Sequence, residues 1–191
     1  MRVTCFFDYT CPYSYRMWRW TELVRRERPD LLVRWATFSL REVNRAPDAA
    51  SLFDDPQVSS ISVLSLALSH AARPGPFERY HRAMFDAMHA NGGRKLNRED
   101  VVSVAREAGV DVGAFETDPA HWVASVRAEH DAARSRWGVF GTPTLALGDS
   151  SVFLRIAEVP EERSAAALWD ALWTIAVAHP ELLEIKRPSP G

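Results

Sequence analysis

The 191-residue chain contains 47% hydrophobic residues, enough for a buried core and too many for global disorder. Its 23 basic and 25 acidic residues nearly balance, so we expect no nucleic-acid partner and no anionic membrane surface. The N-terminus lacks the apolar stretch of a secretory signal, and no segment reaches the roughly 18 apolar residues of a transmembrane helix. We therefore expect a cytoplasmic protein whose two cysteines are free thiols.

The first predicted elements form a β-α-β unit. Residues 2–7 are rich in β-branched and aromatic types and predict a strand, with Cys5 on its apolar face as a buried core thiol. Pro12 suits the first position of a helix, which the pattern predicts over residues 12–28. Residues 31–38 predict a second strand. This order implies parallel pairing of the two strands through a right-handed crossover.

The middle of the chain carries helical patterns and no strand pattern. The helices are predicted over residues 58–72, 76–90, 98–108 and 119–137. We interpret residues 51–137 as an all-helical insertion into one α/β domain. Trp18 and Trp20 lie about 200° apart around the first helix and cannot face the same core, so we expect one of them to point toward this insertion.

The α/β pattern resumes after the insertion. Two short strands are predicted at residues 144–147 and 151–155, joined by a turn, and a last helix at residues 161–178. Leu168, Leu172 and Ile175 are expected to form the apolar face of that helix, with Trp169 and Trp173 beside it, and the tail KRPSPG is expected to be frayed. Residues 1–50 and 138–191 thus form the α/β domain that the insertion interrupts.

The segment Cys11-Pro12-Tyr13-Ser14 follows a strand and opens a helix. A thiol at this position faces unpaired backbone N–H groups and the positive end of the helix dipole, which favour the thiolate. We therefore expect the pKa of Cys11 to fall below the roughly 8.5 of a free cysteine. Ser14 lies in the first turn, where its hydroxyl can donate a hydrogen bond to the sulfur. The alternative is a buried cysteine that caps the helix and has no chemical role.

A second candidate is Gly138-Val-Phe-Gly-Thr-Pro-Thr144. Its Thr142-Pro143 pair stands directly before an apolar strand, where proline removes a hydrogen-bond donor from the ladder. A cis peptide bond between Thr142 and Pro143 accounts for this placement. The alternative is an ordinary trans proline in a turn.

Together, the strand–CxxS–helix–strand opening and the later GVFGTPT segment resemble the DsbA-like branch of the thioredoxin superfamily. The helical insertion of that branch matches the chain order found here. The resemblance implies a thioredoxin fold with a large all-helical insertion (DsbA-like). It implies that Cys11 is the nucleophile, that Pro143 is the cis-proline, and that Thr142 contacts the backbone of a bound substrate.

A narrower resemblance is to the actinobacterial mycothiol-dependent reductases, through Ser39-Leu40, Asn44-Arg45 and the C-terminal segment from Ala157. Those reductases carry C-P-W-C, whereas this chain carries C-P-Y-S and lacks the second cysteine. Cys11 must then form a mixed disulfide that another thiol resolves. We expect a monothiol oxidoreductase that uses mycothiol or glutathione as a cosubstrate and has no tightly bound cofactor.

Ser14 also resembles the kappa-class glutathione transferases and the 2-hydroxychromene-2-carboxylate isomerases. Those proteins carry S-P-Y-S, with serine where Cys11 stands here, and they use a bound glutathione. Two further hypotheses therefore remain open. One is a transferase or isomerase in which the bound thiol is the nucleophile, and the other is a redox-inactive binding protein.

The remaining predictions concern ligands and partners. We expect Pro12, Tyr13 and Asn44 to join Thr142 and Pro143 in binding the low-molecular-weight thiol, although each can also be an ordinary surface or loop residue. The six histidines show no metal-binding spacing, and no phosphate-binding glycine motif is present. The expected partners are a small-molecule thiol and a small or disulfide substrate, and a homodimer is an open possibility.

Overall fold

The computed structural model describes residues 1–187, in which a four-stranded sheet has the order β2-β1-β3-β4. Strand β1 pairs in parallel with β2 and antiparallel with β3, and β3 pairs antiparallel with β4. The last four residues of the predicted frayed tail lie outside the described residues. The strands are β1 (Arg2–Phe7), β2 (Leu32–Thr37), β3 (Thr144–Leu147) and β4 (Ser150–Phe153).

The described residues form eight α-helices. The six helices that the sequence predicts are confirmed, with ends that differ by up to three residues. The two unpredicted helices, α2 and α6, have only four and six residues, too few for a clear hydrophobic period. Within residues 1–187 no helix has the length and apolar character needed to cross a bilayer. The helices are α1 (Pro12–Glu27), α2 (Leu40–Val43), α3 (Ile61–Ala71), α4 (Phe77–His89), α5 (Arg98–Glu107), α6 (Val112–Thr117), α7 (Pro119–Trp137) and α8 (Glu162–Ala178).

Strand β1 buries both of its faces. Cys5 and Phe7 are fully buried in the main core, which also includes residues of α1, α3 and α4. Phe6 points to the other side and packs in a smaller core with Ala133 of α7 and Val139. This alternation follows from the period of two residues in a strand. The prediction that Cys5 is a buried core thiol is confirmed.

Helix α1 uses two tryptophans to contact two different parts of the chain. The indole N–H of Trp20 donates to the Ala165 carbonyl at 3.0 Å, and its ring meets the Trp169 ring of α8 edge-on at 5.4 Å. Trp18 points the opposite way and stacks on Phe85 of α4 at 5.7 Å. One tryptophan therefore contacts the insertion, as predicted, and α1 is anchored on both sides.

The predicted apolar face of α8 is confirmed only in part, because Leu172 packs against the core and Leu168 does not. Leu168 is 46% exposed, and Leu172 and Ile175 are only partly buried. The alanines of this helix are small and allow α8 to pack closely against the core, with Trp169 as the large buried side chain. Alanine contributes little to a hydrophobic pattern, so the sequence does not show which face is buried. The buried residues of α8 are Ala165, Ala166, Trp169 and Ala176.

A carboxylate on α7 caps the edge of the sheet at β2. Glu129 accepts the backbone N–H of Thr37 at 2.6 Å, its hydroxyl at 2.8 Å and the guanidinium of Arg34 at 2.5 Å. His70 Nε2 and Arg73 lie 3.5 and 3.6 Å from the same carboxylate. Burial raises the pKa of Glu129, but the hydrogen bonds from His70 and Thr37 and the charges of His70 and Arg73 outweigh burial and lower the pKa to about 2. This cluster ties the insertion to the strand edge.

Removal of the Trp169 side chain should destabilise the fold strongly, because Trp169 is 1% exposed. We expect Trp169→Ala to lower the free energy of unfolding by about 3–5 kcal/mol, measured by urea denaturation. Trp173→Ala is the matched control on the same helix, since Trp173 is only partly buried, and it should cost about 1 kcal/mol. Equal losses for the two variants would contradict this packing.

The Glu129 cluster predicts a pH dependence of stability. The pKa of Glu129 in the folded protein lies below its ordinary value of 4.5, so its stabilising contribution is complete above pH 4.5 and is lost as the pH falls toward 2. Glu129→Gln should lower the free energy of unfolding by about 3 kcal/mol at pH 7. The difference from wild type should shrink below pH 4.5 in urea titrations. A constant difference at every pH would refute the assignment, and exposed Glu116→Gln is the control.

Candidate active site

A buried carboxylate organises the turn between β1 and α1. Asp8 is fully buried, and one of its oxygens accepts the backbone N–H and the hydroxyl of Thr10, each at 2.8 Å. The other oxygen accepts the backbone N–H of Leu40 at 2.8 Å and the hydroxyl of Ser62 at 2.7 Å. Asp8 thereby ties the turn to the starts of α2 and α3. The sequence interpretation missed this residue, although an aspartate two positions before a threonine is typical of a side-chain-to-backbone turn.

Cys11 occupies the N-cap position of α1, and Pro12 follows at the first helical position. The backbone N–H of Cys11 donates to the Asp8 carbonyl at 3.1 Å, and the first turn of α1 contains no acidic residue. The thiol faces the positive end of the helix dipole, as the sequence indicates. Cys11 is only 4% exposed, so the residue is nearly buried.

The sulfur lies against the loop that precedes β3. The Cys11 thiol donates to the backbone carbonyl of Thr142 at 3.3 Å, and the Thr142–Pro143 peptide bond is cis. The Pro143 carbonyl accepts the backbone N–H of Leu154 at 3.1 Å, which holds this loop against the end of β4. The two segments that the sequence analysis singled out therefore meet at one sulfur atom.

Thr142 also carries an unused polar group. The residue is 3% exposed, and its hydroxyl has no hydrogen-bond partner among the described residues. A buried hydroxyl without a partner costs free energy unless a ligand or water satisfies it. Thr142 therefore brings to the site a carbonyl bonded to Cys11 and a hydroxyl without a partner among the described residues, and its contact with a ligand stays a prediction.

Ser14 is buried one turn into α1, but its hydroxyl makes a different contact from the expected one. The hydroxyl oxygen accepts the backbone N–H of Asp8 at 3.4 Å. In the part of the chain that the structure describes, no hydrogen bond joins Ser14 to the sulfur of Cys11. Ser14 therefore stabilises the turn that holds Cys11, and its catalytic role stays a prediction.

Two arginines surround the ring of Tyr13, which lies beside the nucleophile. The guanidinium of Arg155 donates to the Tyr13 hydroxyl at 2.5 Å and lies 4.4 Å from its ring centre. Arg16 lies 5.2 Å from the same ring. Asn44 is exposed at the end of α2, where its amide donates to the Leu40 carbonyl at 2.8 Å. The structure thus brings the Thr142-Pro143 pair to Cys11, and Pro12, Tyr13 and Ser14 follow Cys11 directly in the chain. Asn44 caps its own helix, and its ligand role stays a prediction.

The second cysteine, Cys5, is an unreactive thiol. Cys5 is fully buried in β1, and burial, followed by the negative charge of a nearby Cys11 thiolate, raises the pKa of its thiol well above the ordinary value. Both cysteines are free. Cys5 therefore remains protonated at neutral pH and is a poor attacking group.

Comparisons with known proteins agree with this geometry. A family model described as a DSBA-like thioredoxin domain matches residues 2–162, and no curated protein matches the chain. Among solved structures the chain is similar to a thioredoxin-like oxidoreductase from Silicibacter pomeroyi, at 24% identity over 90% of this chain and 83% of that one, with a TM-score of 0.62. It is also similar to a probable DsbA oxidoreductase from Streptomyces coelicolor, at 21% identity over 98% and 94% of the two chains, with a TM-score of 0.64. A periplasmic thioredoxin-like protein from Salmonella enterica matches at 18% identity over 91% and 82%, with a TM-score of 0.59.

These findings confirm the predicted fold class, a thioredoxin fold that carries a helical insertion. They leave two finer predictions open. One is the likeness to mycothiol-dependent reductases, and the other is the division into residues 1–50 and 138–191 on one side and residues 51–137 on the other.

The Asp8 carboxylate should be essential for the turn that presents Cys11. Asp8→Asn replaces acceptor oxygen with an amide that faces hydrogen-bond donors, so we expect the free energy of unfolding to fall by about 3 kcal/mol. Urea denaturation measures the loss. Asp48→Asn is the control, because Asp48 is exposed and makes no hydrogen bond with the described residues. A loss no larger than that of the control would show that the turn does not depend on the Asp8 carboxylate.

Proposed function

Because the chain belongs to the family of DSBA-like thioredoxin domains, we propose that it is a thiol-disulfide oxidoreductase that works with one catalytic cysteine, Cys11. The observation that carries the proposal is the position of the Cys11 sulfur, at the N-terminus of α1 and 3.3 Å from the carbonyl that precedes cis Pro143. A serine stands at position 14, and Cys5 is buried in β1.

The proposed reaction has two exchange steps. The Cys11 thiol loses its proton, and the thiolate attacks a disulfide R–S–S–R′, which forms the mixed disulfide Cys11–S–S–R and releases R′–S⁻ to take up a proton. A second thiol R″–SH, as its thiolate, then attacks the R-bearing sulfur. The products are R–S–S–R″ and the regenerated Cys11 thiol. One disulfide is consumed and one is formed, so the protein itself is neither oxidised nor reduced over the cycle.

The second thiol must come from outside the chain. Ser14 cannot form a disulfide, and Cys5 is fully buried with a raised pKa. A low-molecular-weight thiol, glutathione or mycothiol, is therefore the proposed cosubstrate. We also place the protein in the cytoplasm, where such thiols are abundant and keep free cysteines reduced.

The residues around the sulfur have distinct proposed roles. The free N–H groups of α1 stabilise the thiolate. The Thr142 carbonyl holds the thiol at rest and loses this hydrogen bond when the thiol ionises. The Thr142 hydroxyl, which has no hydrogen-bond partner among the described residues, is then available to the bound molecule. Pro12 and Tyr13 border that molecule.

A transferase or isomerase is the second candidate. The 4% exposure of Cys11 favours it, because a large disulfide has poor access to a nearly buried sulfur. In this alternative a bound thiol is the nucleophile and Cys11 positions it. Binding of a thiol ligand that survives Cys11→Ser would favour this alternative, whereas an oxidoreductase loses all exchange in that variant.

Incubation with glutathione disulfide tests the monothiol mechanism directly. Wild type should accumulate a glutathione adduct on Cys11, identified by mass spectrometry of the intact protein and its peptides. Ser14→Cys should lose the adduct and become two hydrogens lighter than the reduced protein, because the new thiol resolves the mixed disulfide within the motif. Cys5→Ala is the matched control and should keep the adduct.

Two results would contradict the mechanism. One is an adduct that forms on Cys5, and the other is a folded wild-type protein that forms no adduct. Comparison of steady-state disulfide reduction with glutathione and with mycothiol then identifies the cosubstrate.

A further inference from the structure

A groove of about 810 Å³ opens along the first turns of α1. One wall is the start of α1, with Pro12 and Arg16, and the opposite wall is the end of α4 and the loop after it, with His89 and Lys95. The segment after β4 closes one side with Glu158. The volume lies in the range of sites that hold small molecules. Cys11 itself does not line the groove, but Pro12, which directly follows it, does, so the groove begins one residue from the nucleophile.

The groove is positively charged in a chain whose net charge is −2. Arg16, Arg94 and Lys95 line it against a single carboxylate, Glu158. Arg94 is paired with Asp100 at 3.1 Å. Among the described residues, neither Arg16 nor Lys95 forms an ion pair, and Lys95 is exposed. Cations without carboxylate partners in a concave site favour a ligand that supplies the negative charge.

The walls of the groove are fixed to the turn that presents Cys11. The imidazole of His89 donates to the Tyr9 carbonyl at 2.7 Å and stacks on the Tyr15 ring at 5.4 Å. The loop after α4 turns through Gly93, where φ is +71° and an added Cβ would lie 2.6 Å from the Met88 carbonyl oxygen. The cationic loop is therefore held at a defined position relative to the sulfur.

We propose that this groove binds the carboxylate end of a low-molecular-weight thiol whose sulfur exchanges with Cys11. The inference deepens the proposed function and names the class of cosubstrate, a thiol with free carboxylates. Glutathione has two carboxylates and belongs to this class. Mycothiol, an uncharged sugar thiol, gains nothing from Arg16, Arg94 and Lys95. The groove thus selects an anionic thiol over a neutral one.

Isothermal titration with S-methylglutathione, whose sulfur cannot exchange, tests the groove without the redox chemistry. We expect it to bind about tenfold more tightly than its dimethyl ester, in which both carboxylates are neutralised. Lys95→Gln and Arg94→Gln should each weaken binding by about threefold to fivefold, and added salt should reduce the preference. Arg106→Gln is the control, because Arg106 is an exposed arginine on α5 outside the groove.

Equal affinities for the acid and the ester would overturn the inference, as would no binding or an equal loss in Arg106→Gln and Lys95→Gln. The glutathione-adduct experiment tests the proposed function independently of the binding measurements. If Cys11 forms adducts while binding shows no dependence on charge, the oxidoreductase stands and the groove assignment falls. If charge-dependent binding occurs while Cys11 forms no adduct, the groove assignment stands and the oxidoreductase falls.

Discussion

The contact between the Cys11 sulfur and the Thr142 carbonyl joins positions 131 residues apart, and the proposed chemistry depends on it. The contact follows from strand pairing. Because β3 runs antiparallel to β1, with Thr144 opposite Phe6, the start of β3 lies where β1 ends. The turn after β1 leads to Cys11, and the loop before β3 ends in cis Pro143. The sheet therefore brings the two segments together although the whole insertion separates them in sequence.

The insertion also contributes to the site, because its polar groups hold the turn before Cys11. Ser62 of α3 donates to the Asp8 carboxylate, and His89 of α4 donates to the Tyr9 carbonyl. Without these contacts the buried Asp8 carboxylate would lose one of its four hydrogen bonds and the Tyr9 carbonyl would lose its bond to His89, which is costly inside a protein. The insertion is thus part of the mechanism that fixes the nucleophile, and it also supplies one wall of the cationic groove.

The sequence predicts the elements well wherever a local rule applies. The β-branched and aromatic residues mark β1, and Pro12 marks the start of α1. The face of α8 is predicted only in part, because close packing of alanines around Trp169 leaves little trace in a hydrophobic pattern. The partner of the Ser14 hydroxyl is also missed, since it is the Asp8 backbone and not the sulfur. The groove could not be predicted, because its walls come from three distant segments whose juxtaposition is set by tertiary packing.

The central claim is that Cys11, although nearly buried, is the reactive thiol of the folded protein. The most direct measurement is the rate of iodoacetamide alkylation of each cysteine as a function of pH, with site-resolved mass spectrometry under native conditions. The account predicts that Cys11 is alkylated in the folded protein while Cys5 stays unmodified until the protein unfolds. It is contradicted if both cysteines are alkylated together at the rate of global unfolding, since Cys11 would then be an inert part of the core.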